Sequence, residues 1–238
     1  MTHWLDTLDA VREEICRIGK SLFDRGLVHA TAGNISVRIP EALGGGFLIT
    51  PTDACLGLLL PARLSLLDAD GVHLTGDVPS KSMRLHRTIY SSALAVDAEV
   101  RCVIHTHSSY SVSLSLGDVG LSEGKLRWPE LLPALTPYFV MKVGRVPVIP
   151  YGVPGSADVA VTVGQCIDAY ADAGIFLRAV MLERLGPNVW HHSPAQAMAV
   201  LEELEETSKL HCWSRGKAVP LTLEQVRTLE ARFSARWM

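Results

Sequence analysis

Paired cysteine motifs, long apolar runs and a large charge excess are all lacking in this sequence of 238 residues. The five cysteines are scattered and odd in number, with no Cys-x-x-Cys, which argues against a disulfide framework and predicts a reducing compartment. No apolar stretch reaches membrane-spanning length, since even residues 56–67 are broken by Gly57, Pro61 and Arg63. The net charge of −3 provides no basic field that would attract nucleic acid or an anionic membrane.

The amino terminus has no cationic start followed by an apolar run, so it predicts no signal peptide. Together with the free cysteines, this predicts a cytoplasmic protein. Hydrophobic residues make up 48% of the chain and charged residues 20%, as is typical of soluble globular proteins. We therefore expect a small-molecule partner, and a local site must supply the charge for any anionic substrate.

Hydrophobic spacing predicts helices and short strands without internal repeats. Apolar residues at three- and four-residue steps from Leu5 to Leu22 indicate an amphipathic helix that ends at Gly26. Ser193-Pro194-Ala195-Gln196 is typical of a helix start, and Asp68-Ala69-Asp70-Gly71 predicts a hairpin between strands 64–67 and 72–75. Further helices are predicted at 83–90, 108–116 and 157–170, and further strands at 47–50, 101–107, 146–149 and 179–182. Helices that flank partly antiparallel strands predict an α/β protein, a three-layer α/β/α sandwich around a mixed, largely antiparallel sheet.

The chain divides into a domain at residues 1–213 and a helical tail at residues 214–238. The tail is predicted to contain a short helix from Leu223 to Trp237, which carries the large apolar side chains Phe233 and Trp237. These side chains predict that the tail packs on the body of the domain or on a neighbouring subunit.

Residues 101–108 contain two histidines one residue apart at the end of an apolar run. Side chains alternate between the faces of a strand, so His105 and His107 would point one way and Thr106 the other. Two imidazoles on a rigid strand can hold a metal ion. The plain alternative is a pair of ordinary histidines in a loop, because His-x-His is short and recurs by chance.

Three short turns carry small, hydroxyl and amide residues that suit an anion. Residues 31–38 surround Gly33 and Asn34, residues 50–53 include Thr52, and Ser80 and Lys81 precede a helical pattern. A helix N-terminus with free amides and a nearby ammonium group can seat a phosphate, and the N–H groups of a turn can do the same. The alternatives are plain turns, with the serine as a helix cap and the lysine in solvent.

These stretches, in this order, resemble the class II aldolase/adducin family. The matching pieces are Gly33-Asn34-Ile35-Ser36, Thr50-Pro51-Thr52, Pro79-Ser80 with His86 downstream, His105-Thr106-His107, Tyr138 and residues 181–206. Each piece is short, but the ordered set is specific and spans nearly the whole chain. The resemblance implies a three-layer α/β/α fold, usually in C4 homotetramers, and zinc-dependent aldolase, epimerase, dehydratase or decarboxylase chemistry on sugar phosphates.

The resemblance also assigns roles to single residues. It makes His105 and His107 metal ligands, and it places Tyr138 where the aldolases hold a proton-donating tyrosine near a subunit boundary. It places the substrate phosphate at residues of the three turns: Gly33, Asn34, Thr52 and Ser80.

Two positions depart from the family pattern. The family aldolases usually read Pro-Ser-Ser-Glu with the glutamate as acid/base, whereas Pro79-Ser80-Lys81-Ser82 has a serine in that position. We expect Ser82 to join the substrate-binding residues. The third metal-binding histidine of the family lies in an Asn-His-Gly turn, but Arg184-Leu185-Gly186 stands there, and Leu185 cannot bind a metal. A standard retro-aldol mechanism on a three-histidine site is therefore not expected.

Residues 49–55 and 182–187 resemble one branch of the family, the 3-oxo-tetronate 4-phosphate decarboxylases of four-carbon sugar-acid catabolism. The resemblance implies a lyase that forms dihydroxyacetone phosphate and CO2. Decarboxylation of a β-keto acid needs an electron sink on the ketone, which a divalent metal supplies, and it needs no base to break the C–C bond. Such chemistry tolerates the missing glutamate.

Further expectations complete this site. Lys81 would hold the phosphate or orient the carboxylate, and Tyr138 would donate a proton after CO2 leaves. Glu183 would replace the third histidine if the strand persists beyond it, with His191 and His192 as nearby alternatives. The metal is expected to be Zn2+, with Mn2+ as the alternative.

Two other functions stay open at the level of sequence. The chain would be an aldolase or epimerase that acts on another sugar phosphate, or a non-catalytic adducin-like binding protein that lacks two of the usual site residues. Retention of His105, His107, Asn34 and Ser80 favours an enzyme.

Overall fold

A single mixed sheet runs through the molecule, whose computed structural model describes residues 6–117, 121–233 and 235–238. Within these residues the sheet has eight strands: β1 (Asn34–Arg38), β2 (Phe47–Ile49), β3 (Ser65–Leu67), β4 (His73–Thr75), β5 (Cys102–His105), β6 (Val148–Ile149), β7 (Ala179–Leu182) and β8 (Gly186–His191). Their spatial order is β4-β3-β2-β1-β5-β8-β7-β6. Neighbouring strands are antiparallel apart from β6 and β7, which are parallel. The predicted mixed, largely antiparallel sheet is confirmed.

Helices cover both faces of this sheet. The described α-helices are α1 (Leu8–Asp24), α2 (Met83–Leu94), α3 (Ser109–Leu114), α4 (Ala157–Asp172), α5 (Pro194–Trp213) and α6 (Leu223–Phe233). On one face Val103 of β5 lies in a buried cluster with Ile89 of α2 and Val163 of α4. Its strand neighbour Ile104 lies in the cluster of the opposite face, with Ile15 of α1 and Leu201 of α5. This strand alternation produces the predicted three layers, and none of the described helices has the length and apolar character needed to span a membrane.

Short-range hydrogen bonds set the ends of the predicted helices. Thr7 Oγ1 accepts the Ala10 N–H at 3.1 Å at the start of α1; Leu5, which the sequence places in this helix, lies outside the described residues. Ser193 Oγ accepts the Gln196 N–H at 3.2 Å at the start of α5. Such caps satisfy amides that have no partner inside the helix.

The predicted hairpin joins β3 to β4. Asp68 Oδ1 accepts the Val72 N–H at 2.8 Å, and the Gly71 N–H donates to the Asp68 carbonyl at 3.1 Å. The aspartate side chain thus closes the turn in the way that makes Asp-Gly a turn signal.

The carboxy-terminal tail packs on the body of its own chain. Its helix α6 ends at Phe233, earlier than the predicted Trp237, and Ser234 lies outside the described residues. Val226 and Trp237 are buried, whereas Phe233 is 56% exposed. The Trp237 ring lies edge-on to Phe139, with 5.7 Å between the ring centroids.

Two glycines allow the chain to pack closely around residues 105–107. Gly33 has φ +83°, and a Cβ there would lie 2.8 Å from the carbonyl oxygen of His105. Gly186 has φ +145°, and a Cβ there would lie 1.9 Å from the carbonyl oxygen of Thr106. Both positions therefore require glycine, and both hold the histidine segment from either side.

Candidate active site

One cavity of about 350 Å³ brings together most of the residues predicted for the site. It lies where the first residue of β1 and the last residue of β5 meet the starts of α2 and α4. The predicted residues that line it are Gly33, Asn34, Thr52, Ser80, Lys81, Ser82, His105, His107 and Glu183. Leu185 lines the cavity as well.

The histidine pair forms one wall of this cavity. His105 is the last residue of β5, where it pairs with Asn34 of β1 and with Asn188 of β8. His107 follows two residues later, and the two ring centroids are 5.0 Å apart with 66° between the ring planes. The strand predicted through His107 therefore ends two residues early, at His105, but both imidazoles line the same cavity.

A backbone carbonyl fixes the orientation of the His105 ring. His105 Nδ1 lies 3.0 Å from the Pro187 carbonyl oxygen. A carbonyl only accepts, so Nδ1 carries the proton and Nε2 keeps its lone pair free for a ligand. Burial lowers the pKa of His105 to about 3, with His107 adding to the effect and the Pro187 carbonyl opposing it. The ring is therefore neutral at physiological pH, as a metal ligand must be.

The donor set fits a divalent metal ion in part. Two imidazoles that share one tetrahedral zinc, each with a Zn–N distance near 2.0–2.1 Å, have ring centroids roughly 5 Å apart. The measured 5.0 Å between His105 and His107 matches that geometry. In residues 6–117, 121–233 and 235–238, no three His, Cys, Asp or Glu side chains are already placed to hold an ion together. His105 and His107 would thus hold the metal, and the third protein ligand needs a side chain that moves.

Asn34 and Ser82 form a polar wall beside the histidines. Asn34 is 6% exposed, and its Nδ2 donates to Ser82 Oγ at 3.0 Å. The other amide atom, Oδ1, is buried and has no hydrogen-bond partner among the described residues. In either orientation of the amide, one of its polar atoms is available to a ligand.

A buried network lies behind this wall. His86 Nδ1 lies 2.7 Å from Ser36 Oγ, which is 2.9 Å from Tyr90 Oη. His86 Nε2 is buried with no partner in the described part of the chain. Burial lowers the pKa of His86 to about 3, and His105 contributes to this shift. The network holds α2 against β1 without a charged group.

Two cations border the cavity at the start of α2. Lys81 and Arg84 both line it, and neither side chain forms an ion pair or hydrogen bond within the described residues. The carboxylates in the same lining are those of Asp53 and Glu183, and neither pairs with these cations. Unpaired cations in a concave site favour the binding of an anion.

The N-termini of two helices converge on the same space. α2 begins at Met83 rather than at Ser80, because the Ser80 carbonyl accepts the Met83 N–H at 3.1 Å and closes a turn before the helix. α4 begins at Ala157, and Ser156 and Val159 at its start line the cavity. The positive ends of both helix dipoles add to the potential of Lys81.

Glu183 lies in the cavity wall but already has a partner. β7 ends at Leu182, and Arg184 adopts a left-handed conformation with φ +63°, so the strand does not persist as far as Leu185. Glu183 Oε2 accepts the Tyr151 N–H at 2.8 Å. The carboxylate would have to leave this amide before it could bind a metal.

Tyr138 is not among the residues that line the cavity. It is 62% exposed and immediately precedes a π-helical turn at Phe139–Val143. Within one chain, the structure does not bring this tyrosine to the histidines. The nearby alternatives His191 and His192 also lie outside the lining, and His192 Nε2 is 2.8 Å from Asp97 Oδ2.

Sequence reasoning missed Arg84 and His29 near the site, and it included Thr31 only as part of the turn at residues 31–38. Arg84 is three residues after Lys81, a spacing that could have indicated a shared helix face. Thr31 adds another hydroxyl to the lining. His29 lies next to His107, with 6.3 Å between ring centroids, and no local sequence signal indicates this contact.

The fold and this site define the family of the chain. Residues 13–212 match the model of the class II aldolase and adducin N-terminal domain, and the protein belongs to this family. Members of the family are generally dependent on a divalent metal.

Several relatives carry one particular name within the family. The chain is 44% identical to the 3-oxo-tetronate 4-phosphate decarboxylase of Cupriavidus necator, over 98% of this chain and 100% of the relative. It is 38% identical to the enzyme of the same name from Escherichia coli K12, over 88% of this chain and 90% of the relative.

Solved structures show the same fold. The crystal structure of YgbL from Escherichia coli, described as an aldolase/epimerase/decarboxylase, superposes with a TM-score of 0.79 at 35% identity, over 93% of this chain and 98% of that one. An L-fuculose 1-phosphate aldolase structure superposes with a TM-score of 0.73 at 24% identity, over 94% and 96% of the two chains.

Proposed function

We propose that this protein is a lyase that decarboxylates a 3-oxo-tetronate 4-phosphate, with a divalent metal ion as cofactor, in four-carbon sugar-acid catabolism. The observation that carries the proposal is one cavity that combines the His105–His107 pair with the unpaired cations Lys81 and Arg84. Such a substrate has a carboxylate at one end, a phosphate at the other and a ketone between them. The names of the relatives at 34% to 44% identity support this particular substrate.

The phosphate would be held by the turns and by the start of α2. Thr52 and Ser80 offer hydroxyl groups, and the amides near Gly33 and at the helix N-terminus offer N–H donors. Lys81 would take either the phosphate or the carboxylate. Ser82 orients the Asn34 amide through their 3.0 Å hydrogen bond, and the free atom of that amide would bind a substrate hydroxyl.

The reaction breaks one C–C bond and forms one C–H bond. When bound, the divalent metal polarises the ketone and stabilises the negative charge that develops as CO2 leaves. The electron pair of the broken C–C bond moves from the carbon that loses CO2 toward the ketone oxygen. A proton added afterwards at that carbon gives dihydroxyacetone phosphate. Lys81 would hold the carboxylate out of the plane of the carbonyl. This contact accelerates the step only if it is stronger in the transition state than in the bound substrate. Since no proton has to be removed for bond cleavage, Ser82 can stand in the position of the family glutamate.

Tyr138 is proposed as the proton donor in a C4 homotetramer. Its 62% exposure in a single chain and its place outside the cavity of that chain support a role at the site of a neighbouring subunit. Tyr138→Phe would then slow product formation in the tetramer while zinc binding and thermal stability stay unchanged.

Zn2+ is the proposed metal, with Mn2+ as the alternative. The protein itself is proposed to be cytoplasmic. His105 and His107 are the proposed ligands. Glu183 is the third ligand that the sequence offers, provided that its carboxylate is released from the Tyr151 amide.

The test is CO2 release by the purified protein loaded with one equivalent of zinc. We expect turnover of the oxo-acid phosphate, abolition by a chelator, and a loss of about 1000-fold in kcat/KM for His105→Ala, since a Lewis acid contributes several kcal/mol. His73→Ala, an exposed histidine of β4, is the matched control and should be fully active.

Other outcomes would contradict the proposal. Activity that survives both chelation and His105→Ala would remove the metal mechanism. Faster aldehyde release from fuculose or ribulose phosphates than CO2 release would indicate an aldolase. A protein that retains no metal and is not stabilised by these ligands would indicate a binding protein.

A further inference from the structure

The replacement of the third family histidine by Leu185 leaves a ligand position to be filled from elsewhere in this chain. The leucine side chain lines the cavity and offers no donor atom. No third His, Cys, Asp or Glu of the described residues is already in place beside His105 and His107. A third ligand from the described residues of this chain therefore has to be a nearby side chain that reaches the pair by rotation.

His29 is such a side chain. It lies in the loop between α1 and β1, and its ring centroid is 6.3 Å from that of His107, with 72° between the ring planes. Its side chain is exposed and forms no hydrogen bond within the part of the chain that the structure describes. The ring can therefore turn without breaking a hydrogen bond, and only its edge-on contact with His107 changes.

The backbone beneath this ring is well held. The Ala32 N–H donates to the His29 carbonyl at 2.9 Å, and the preceding Val28 is buried in the core with 3% exposure. The loop then continues through Gly33, which is packed against the carbonyl of His105. The Cα of His29 is thus anchored near the pair, and only side-chain torsions need to change.

A shared metal sets how close the three rings must lie. Imidazoles that share a tetrahedral zinc have centroids roughly 5 Å apart, and those of His105 and His107 are 5.0 Å apart. The His29 centroid, which is 6.3 Å from that of His107, has to come within this distance of both rings through a change in its side-chain torsions.

Glu183 is less free to move than His29. Its Oε2 accepts the Tyr151 N–H at 2.8 Å, and its Oε1 lies 3.6 Å from Arg184 Nε. Binding a metal would leave the amide and the guanidinium without this partner.

We propose that His29 is the third protein ligand of the metal, in place of the histidine that Leu185 replaces. This inference rests on the proposed metal-dependent function. Three neutral imidazoles leave the full positive charge of the ion available to polarise a ketone, whereas a carboxylate ligand would neutralise part of it.

The test measures metal binding by the full-length protein without substrate. Zinc affinity is determined by competition with a chelating dye, and the coordination sphere is followed through the visible absorption of bound Co2+. We expect His29→Ala to weaken zinc binding by at least tenfold and to change the Co2+ spectrum, as His105→Ala does. Glu183→Gln, which keeps an acceptor for the Tyr151 amide, tests the competing carboxylate ligand and should weaken zinc binding less than His29→Ala does. His73→Ala, the exposed control, should bind zinc like the unmodified protein.

The outcomes separate this inference from the proposed function. Unchanged zinc affinity and Co2+ spectrum in His29→Ala, with loss in His105→Ala, would overturn the role of His29 and leave metal dependence intact. A loss in Glu183→Gln alone would overturn it in favour of the carboxylate. Failure of the unmodified protein to bind zinc or Co2+ would contradict the proposed function as well. Thermal unfolding of the metal-free variants shows whether a loss of affinity comes from misfolding.

Discussion

Two buried polar clusters of the molecule differ in how completely their groups are paired. Glu130 is 1% exposed, and its carboxylate accepts hydrogen bonds from Arg145 Nη1 at 2.7 and 2.8 Å and from Tyr170 Oη at 2.9 Å. In the cavity wall and the network behind it, by contrast, Asn34 Oδ1 and His86 Nε2 are buried and have no partner among the described residues. In the first cluster both carboxylate oxygens have hydrogen-bond partners. In the second, two buried polar atoms remain available to bind a ligand.

This difference separates a structural role from a ligand-binding role. Arg145 also donates through Nε to the Trp237 carbonyl and lies over the Trp237 ring, so the Glu130 cluster ties the tail to the body. An unpaired buried polar atom costs roughly 1–3 kcal/mol, and the folded protein recovers that cost only when a ligand supplies the missing partner. The cavity should therefore gain stability from its ligand, whereas the Glu130 cluster is stable without one.

Arg145→Met should give the largest loss of stability. It leaves the buried Glu130 carboxylate without its cation, and breaking a buried pair costs about 3–5 kcal/mol. Urea unfolding measures this free energy. Arg63→Met removes the exposed pair with Asp77, whose side chains are 66% and 38% exposed, and should cost less than about 1 kcal/mol. Equal losses of unfolding free energy in the two variants would mean that the buried Glu130–Arg145 pair stabilises the protein no more than an exposed pair does.

Lys81→Met and Arg84→Met should affect ligand binding and not folding. A hydrogen bond to a charged group contributes about 1.5–3 kcal/mol, so each variant should raise the KM for the phosphate substrate by roughly 10- to 100-fold. The stabilisation of the protein by inorganic phosphate, read as a shift in Tm, should fall in parallel. Neither cation has a side-chain partner to lose among the residues that the structure describes, so the free energy of unfolding without ligand should be unchanged. A large drop in that stability would place these residues with the structural cluster.

His86 should produce a smaller, pH-dependent effect. Burial lowers its pKa in the folded protein to about 3, below the value near 6.5 of an unfolded chain. Between these two values the unfolded chain binds the extra proton, so stability falls as the pH decreases from 6.5 toward 3. In metal-free protein, His86→Asn should reduce the loss of stability between pH 7 and pH 5.5 by about 1 kcal/mol. An identical pH profile in variant and unmodified protein would show that His86 does not titrate in this way.

Much of the fold could be predicted because it depends on near neighbours in the chain. The period of the apolar residues indicated the helices, and the caps at Thr7 and Ser193 are contacts between residues three apart. Strand alternation was also the reason to place His105 and His107 on one side, but β5 ends at His105, and the segment after it brings His107 to the cavity. For the sheet, only its class, mixed and largely antiparallel, could be predicted. The order of its strands could not, because it depends on contacts between residues that are distant in sequence.

Tertiary structure alone decided the arrangement of the candidate site. The starts of α2 and α4, more than 70 residues apart in the chain, meet at one cavity because both helices pack on the same face of the sheet. The end of β7 at Leu182 turned Glu183 toward the Tyr151 amide, and the loop after α1 brought His29 beside His107. The sequence by itself determined which local elements form and which chemical groups they carry. Packing between distant segments decided which of those groups are paired and which are left for a ligand, because pairing depends on distances that local propensities do not set.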